Sequence, residues 1–162
     1  MVRRLALEVG RDYRGRRPVL VGVLKGAFVF LADLVRELDL DFEVDFVRLA
    51  SYGSGTTSSG RVRVTAGLKT DVAGRDLLVV EDIIDTGYTT ERLLRYLRAR
   101  RPGSMKVCAL LSKPARRKVK VPIDYLGAEV PDRFLVGYGL DYAQRHRGLP
   151  DIYALEEGRD GA

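Results

Sequence analysis

A chain of 162 residues with a single cysteine fits one ordinary domain, excludes an intrachain disulfide, and is long enough to bury a core without metal or disulfide staples. Its 46% hydrophobic and 31% charged residues are those of a soluble globular protein, and no apolar run is long enough to span a bilayer. The net charge of +6 is compatible with nucleic acid, a small polyanionic substrate or an arginine-rich surface, and charge alone does not choose among them.

The start, Met1-Val2-Arg3-Arg4-Leu5, has two arginines and no sustained apolar stretch, so a signal peptide is not expected and a cytoplasmic setting is the simplest account. Residues 19–24 (VLVGVL) form an apolar run of strand length that Lys25-Gly26 breaks. From 27 to 38, Phe28, Leu31, Leu34, Val35 and Leu38 fall at helical spacing. Residues 44–49 and 61–65 alternate like two strands, joined by a loop over 51–60 of small and hydroxylated residues plus Tyr52. Residues 77–84 (LLVVEDII) predict a strand that turns acidic near its end. The turn Asp85-Thr86-Gly87 follows, then a helix over 89–100 with Leu93, Leu94 and Leu97 inward, stopped by Pro102-Gly103. Residues 106–111, 123–126 and 134–138 predict further strands, and Cys108 in the first of them reads as a small buried hydrophobe. Strand, helix, strand in succession points to an α/β fold: a central, mainly parallel sheet flanked by helices.

The informative stretch is 79–90, VVEDIIDTGYTT. Three carboxylates sit where a strand enters a helix, and open α/β sheets bind ligands outside the carboxyl ends of their strands. The turn from Asp85 to Thr89 offers main-chain N–H groups, two threonine hydroxyls and a helix N-terminus, which together suit a phosphate. Gly87 would let backbone approach the phosphate oxygens. Glu81 and Asp82 suit the two hydroxyls of a ribose beside that phosphate. Simple helix capping would account for Asp85-Thr86. It does not account for a Glu-Asp pair inside an apolar strand, where unpaired carboxylates are costly.

That segment resembles the phosphoribosyl pyrophosphate signature of the type I phosphoribosyltransferases, and EDIIDTG is the form typical of bacterial-type hypoxanthine-guanine enzymes. Residues 22–34 resemble the family's first pyrophosphate loop and its helix, 51–62 its mobile loop, and Lys113 with 132–150 its purine-binding and metal-binding parts. The resemblance covers about residues 12–155. It implies the type I fold in one domain over 1–162, with a small hood subdomain formed largely by about 132–162. It also implies purine salvage from phosphoribosyl pyrophosphate and a 6-oxopurine base, with Mg2+, in a homodimer or homotetramer.

By the same resemblance, Glu81, Asp82, Asp85, Thr86, Gly87, Tyr88 and Thr89 bind the phosphoribosyl group, and Asp85 handles the proton at purine N7. Lys25, Gly26 and Arg147 bind pyrophosphate, often through a non-proline cis peptide at the Lys-Gly pair. Arg145 competes with Arg147 for its place. Ser51 and Tyr52 open the flexible lid. Lys113 donates to the 6-oxygen, Phe134 stacks on the purine, and the Leu135 main chain reads the ring edge. Phe134 would otherwise read as ordinary core. Asp141, with Glu81 and Asp82, is placed at the metal. Bacterial members carry a further stretch of helix before a segment like 11–15, and this chain reads as shorter there. The alternative function is a regulator of the same fold that senses phosphoribosyl pyrophosphate and binds nucleic acid. No appended helix-turn-helix and no basic helix with groove-reading spacing supports it, so a nucleic-acid partner is not expected.

Overall fold

The computed structural model describes residues 1–51 and 62–156. It opens with a helix that the sequence reading did not assign, α1 (Val2–Asp12). Leu5, Ala6 and Val9 are its buried face, and Tyr13 continues that stripe into the core. Strand β1 (Val19–Leu24) leads into helix α2 (Phe28–Glu37), then β2 (Glu43–Ser51) and β3 (Val62–Ala66). Next come β4 (Asp76–Ile84), α3 (Tyr88–Arg98), β5 (Ser104–Ser112), a short 3-10 turn (Pro114–Arg116) and β6 (Tyr125–Glu129). Two short strands, β7 (Leu135–Val136) and β8 (Tyr153–Ala154), pair antiparallel in a separate small sheet.

The main sheet has six strands in the order β3-β2-β1-β4-β5-β6, all parallel except β3, which runs antiparallel to β2. The chain winds outward from β1 to β2, then returns to the other side of β1 and winds outward again through β4, β5 and β6. The gap between the carboxyl ends of β1 and β4 is therefore the switch point, where such sheets hold their ligands.

Both faces of the sheet are covered, which explains why its central strands read as continuous apolar runs. On one face Leu20, Leu78, Val80, Cys108 and Leu110 pack with Leu5, Val9, Phe30 and Leu34 of the first two helices. On the other, Val19, Val21, Val79, Val107 and Ala109 pack with Leu93, Leu94 and Leu97 of α3. Each fully buried large aliphatic contributes about 1.5–3 kcal/mol. Cys108 lies among them, and burial pushes its thiol up to about 12, so it is no nucleophile.

Three elements differ from expectation. The strand expected at 123–126 is shifted to Tyr125–Glu129. Asp124 instead accepts from the Val107 N–H at 2.7 Å and donates its own N–H to Val107 O at 2.9 Å, so strand pairing begins only with Tyr125 opposite Cys108. The strand expected at 134–138 shrinks to two residues, because Gly137 and Tyr138 take φ of +92° and +53° and turn the chain away. The third is α1. Its guanidinium at Arg4 donates to Leu126 O and Gly127 O, at 2.7 and 2.9 Å, and so fastens the helix to the edge strand β6.

Asp12 fastens the other end of that helix, accepting from Lys106 Nζ and from the Tyr125 hydroxyl, each at 2.6 Å. The Lys106 hydrogen bond foremost, then that of Tyr125, holds its carboxyl below the usual 3.8. A carboxyl depressed by folding adds stability that is present above its unfolded value and is lost as pH falls through the folded one. Because the pair is half exposed, its worth is about 1 kcal/mol. Asp12→Asn should lower the melting temperature at pH 7 by about 2–4 °C, and the gap between variant and wild type should close as pH falls below 3.8. Thermal melts across pH 2–7 check both.

Candidate active site

At the switch point lies a recess of about 200 Å3 walled by Val23, Leu24 and Gly26 from the β1 end, Leu49 from β2, and, from the end of β4 into α3, most of residues 81–90 but not Ile84 or Tyr88. A larger groove, about 710 Å3, opens at the amino ends of β1 and β2, between α1 and the 37–41 loop. Its lining mixes both signs of charge, with Arg17 and Asp41 paired at 3.0 Å, and it holds no strand-end turn. Most of the motif residues over 81–90 line the smaller recess instead.

Glu81 is 4% exposed and accepts from the buried Thr90 hydroxyl at 3.3 Å. Burial, helped by the Asp82 charge, pushes Glu81 up to about 8, with Thr90 opposing weakly. Burial likewise lifts Asp82 to about 6, against the pull of its own and Ile83's main-chain N–H groups and of Arg147. A buried and a half-buried carboxyl thus stand side by side at an open recess. Such groups gain from a ribose hydroxyl or a cation that arrives to pair with them.

The turn after β4 is built for close approach. Gly87 has φ +91°, a left-handed conformation, and a Cβ there would lie 2.4 Å from Val119 O. Gly87 is also the N-cap of α3, and no side chain caps that helix. The capping role weighed for Asp85 is therefore absent, and the N–H groups of the first turn are left for a ligand. Thr86 and Thr89 line the recess, while Tyr88 is 37% exposed. Asp85 carries an ion pair with Arg116 Nε at 2.9 Å, yet that oxygen, Oδ1, has no aligned hydrogen bond.

Across the recess, the peptide bond from Leu24 to Lys25 is cis, one position ahead of the expected Lys-Gly pair. A Cβ on Gly26 would lie 1.7 Å from Asp82 Oδ2, so the β1 loop is packed directly on that carboxylate. Lys25 Nζ donates to Gln144 Oε1 at 2.8 Å. Gln144 in turn donates its main-chain N–H to Asp141 Oδ2 at 2.8 Å, and Arg147 pairs with Asp141 Oδ1 at 2.6 Å. Arg147 also donates to Gly139 O at 2.7 Å, and Gly139 abuts Gly26 O so closely that a Cβ would come within 2.2 Å. Lys25, Gly26, Asp141 and Arg147 thus meet in one cluster. Arg145 is exposed, with a Tyr142–Arg145 main-chain bridge, and its side chain stays outside.

Lys113 is 6% exposed at the end of β5, and its ammonium has no side-chain partner among the described residues. The stem is buried while the ammonium is not among the buried atoms left without a partner, so its head group stays open to an acceptor that enters the site. Phe134 is exposed rather than core, with the ring of Tyr142 edge-on at 5.3 Å and 86°, and Leu135 follows it in β7. Tyr52 and the remainder of the expected lid lie outside the described residues, as does the side chain of Ser51.

The fit to magnesium can be judged from the donors. Among the described residues no three His, Cys, Asp or Glu side chains form a cation cage. Magnesium keeps most of its water and takes one or two carboxylates plus substrate phosphates, so Glu81 and Asp82 beside a phosphate turn fit it, with Asp141 close enough to raise Asp82 further. Sequence reading missed Thr90, Arg116, Arg117 and Gln144. Thr90 lies inside the quoted motif; the other three carry no local signal that sets them apart from neighbouring polar residues.

The model of the phosphoribosyl transferase domain family matches residues 1–143. A hypoxanthine phosphoribosyltransferase of Haemophilus influenzae is 52% identical over 141 residues, 86% of this chain and 79% of that protein. A hypoxanthine-guanine phosphoribosyltransferase of Bacillus subtilis is 47% identical over 155 residues, 96% of this chain and 86% of that protein. Among solved structures, the hypoxanthine-guanine phosphoribosyltransferase of Bacillus anthracis, with a HEPES molecule in its active site, superposes with a TM-score of 0.91. It is 42% identical and covers 96% of this chain and 91% of its own.

Proposed function

From the premise that this chain belongs to the phosphoribosyltransferase family, in its bacterial hypoxanthine(-guanine) branch, we propose how its residues carry the reaction. The reaction is purine salvage: the phosphoribosyl group of phosphoribosyl pyrophosphate passes to hypoxanthine or guanine, giving the nucleotide and pyrophosphate. The observation that supports the site assignment most is the uncapped turn at Gly87 beside the buried Glu81 and half-buried Asp82 carboxyls at a switch point.

In this reading the N–H groups of residues 86–89 and the Thr86 and Thr89 hydroxyls take the 5′-phosphate, and Glu81 and Asp82 face the ribose hydroxyls. The main chain at Lys25-Gly26 and the Arg147 guanidinium take the pyrophosphate. As the bond from the ribose carbon to pyrophosphate breaks, the bond to purine N9 forms, and Asp85 accepts the proton at N7. Glu81, Asp82 and, through water, Asp141 would hold magnesium together with the substrate phosphates, where it would supply charge neutralisation for the leaving group. Positioning and exclusion of water do the rest, and no covalent enzyme intermediate is required. Ser51 and Tyr52 serve in the lid. Residues 132–162 form the hood of a single domain, and the enzyme works in the cytoplasm as a homodimer or homotetramer, for which the exposed Val44 and Phe46 supply apolar surface. No helix among the described residues is long and apolar enough to cross a membrane.

Lys113 donates to the purine 6-oxygen, Phe134 stacks on the ring, and the Leu135 main chain reads its edge. The test is nucleotide synthesis with and without magnesium across hypoxanthine, guanine, xanthine and adenine. Magnesium-dependent turnover of hypoxanthine or guanine, and little of adenine, is expected; turnover of none would end the proposal. Lys113→Ala should lower kcat/KM for hypoxanthine by about 10- to 100-fold, the worth of one charged hydrogen bond, and leave adenine unchanged. Equal selectivity in variant and wild type would reject the contact.

A further inference from the structure

Segment 112–119 grips the back of the turn that this reading gives to the 5′-phosphate. Arg117 donates Nε to Asp85 O at 2.9 Å and Nη2 to Ile84 O at 3.0 Å, with a third bond to Ser112 Oγ at 2.8 Å. The Lys113 N–H also donates to Ile84 O at 3.0 Å. The N–H groups of Lys118 and Val119 both donate to Thr86 O, at 2.9 and 3.0 Å. Three successive carbonyls, those of residues 84, 85 and 86, are thus bonded from one side.

A trans peptide is planar, with C=O and the following N–H pointing in opposite directions. Fixing the carbonyls of Asp85 and Thr86 outward therefore aims the N–H groups of Thr86 and Gly87 inward. Neither of those N–H groups has a partner among the described residues. The grip is tight: a Cβ on Gly87 would lie 2.4 Å from Val119 O and 3.2 Å from Arg117 Cδ. Arg117 is half-buried and donates to carbonyls and a hydroxyl rather than to a carboxylate, which places its positive charge behind the turn with only a coulombic pull from Asp85. Its neighbour Arg116 takes the Asp85 carboxylate instead.

We propose that Arg117 is the positioning residue of the phosphate turn. It does not touch substrate. Its fork holds the peptide planes that follow Ile84 and Asp85, the second of which presents Thr86 N–H to a phosphate. The Lys118 and Val119 N–H groups hold the next plane and so aim Gly87 N–H. The Arg117 charge adds to the attraction for the anion. Lysine would keep the charge without the fork; glutamine would lose both.

The proposal rests on residues 86–89 being the phosphate site, and the experiment separates the two. Binding of ribose 5-phosphate is measured by calorimetry for wild type, Arg117→Gln and Arg117→Lys, alongside thermal melts and steady-state kinetics. We expect Arg117→Gln to weaken ribose 5-phosphate by about 10- to 50-fold and Arg117→Lys by about 3- to 10-fold, as lost charge-assisted bonds would. KM for phosphoribosyl pyrophosphate should rise in step, while KM for hypoxanthine stays within about twofold of wild type. A residue that merely stabilised the fold would lower the melting temperature and leave these constants alone. Ribose 5-phosphate binding by Arg117→Gln within about twofold of wild type overturns the role of Arg117 while leaving the turn's assignment standing. Failure of wild type itself to bind removes the assignment of the turn and the proposal together. Should Arg117→Gln not fold, Ser112→Ala frees one anchor of the same fork and should weaken binding by about threefold; unchanged affinity there overturns the proposal equally.

Discussion

Asp85→Asn should cut kcat by about 10²- to 10⁴-fold, the usual reach of a positioned proton acceptor, while KM for phosphoribosyl pyrophosphate moves by no more than a few-fold. The separation follows from the geometry. The groups offered to the 5′-phosphate around Gly87 are main-chain N–H groups and threonine hydroxyls, which the substitution leaves in place. What it removes is a carboxylate that stands 39% exposed, paired on one oxygen with Arg116 at 2.9 Å. An amide of the same shape can still occupy that position, but it cannot take a proton from the purine. Single-turnover rates with saturating substrates, beside calorimetric binding of the donor, separate the two effects. Wild-type turnover in the variant would refute the acid/base role; an equal collapse of donor binding would recast Asp85 as a structural part of the turn.

Gly26→Ala should lower kcat/KM for phosphoribosyl pyrophosphate by at least about 100-fold, through loss of positioning rather than of a functional group. A methyl on Gly26 would have to lie 1.7 Å from Asp82 Oδ2, a distance no non-bonded pair tolerates. Either the Asp82 side chain swings away or the 25–27 loop lifts off the sheet. Each outcome separates the main chain at Lys25 from the carboxylates, and Gly139, which leans on Gly26 O, would carry the Asp141–Arg147 pair with it. Overpacking of this kind also costs about 1–3 kcal/mol of stability. Gly10→Ala is the control, because nothing lies within 4 Å of its would-be Cβ in α1. It should leave activity intact and favour the helix by about 0.5–1 kcal/mol. Kinetics and melts on both variants decide the matter, and a Gly26→Ala enzyme with normal kcat/KM would show that the packing on Asp82 has no functional weight.

The parts of the fold that were legible are those whose cause is local. Helix α2 and helix α3 follow from apolar residues at helical spacing and end within two residues of expectation. Strand β4 was legible with its acidic end in place, and so was the turn at Gly87, because a glycine between a strand pattern and a helix pattern supplies the positive φ that such a junction needs. Helix α1 went unassigned although Leu5, Ala6, Val9 and Tyr13 are spaced for it. A glycine at position 10 and the few apolar residues of this short stretch weaken the signal, and much of the helix's stability comes from docking, through Arg4 to β6 and through Asp12 to Lys106 and Tyr125. Strand β6 slipped by two residues because Asp124 bonds Val107 instead of continuing the ladder.

In the site, the residues that the sequence reading named lie in motifs, where it passed over Thr90, and it did not name Gln144 and Arg117, which join one motif to another. Gln144 is 119 positions from the lysine whose ammonium it holds, and Arg117 is 32 and 33 positions from the two carbonyls it fixes. Nothing beside them in the chain marks them, since Arg145 and Arg116 have the same character as Arg147 and Arg117.

The amino-acid order alone determined the α/β class and the place of the strand-end turn, and pointed to the kind of ligand proposed for it, because hydrophobic period, glycine's access to positive φ and adjacent carboxylates are properties of neighbouring residues. Only the folded chain decided that Arg147 and not Arg145 enters the cluster, that Phe134 stands in solvent, and that Arg117 holds the turn from behind. Those outcomes depend on β1 being laid beside β4 with the winding reversed between them, which brings distant side chains within hydrogen-bond reach, and reach in space is what no stretch of sequence records.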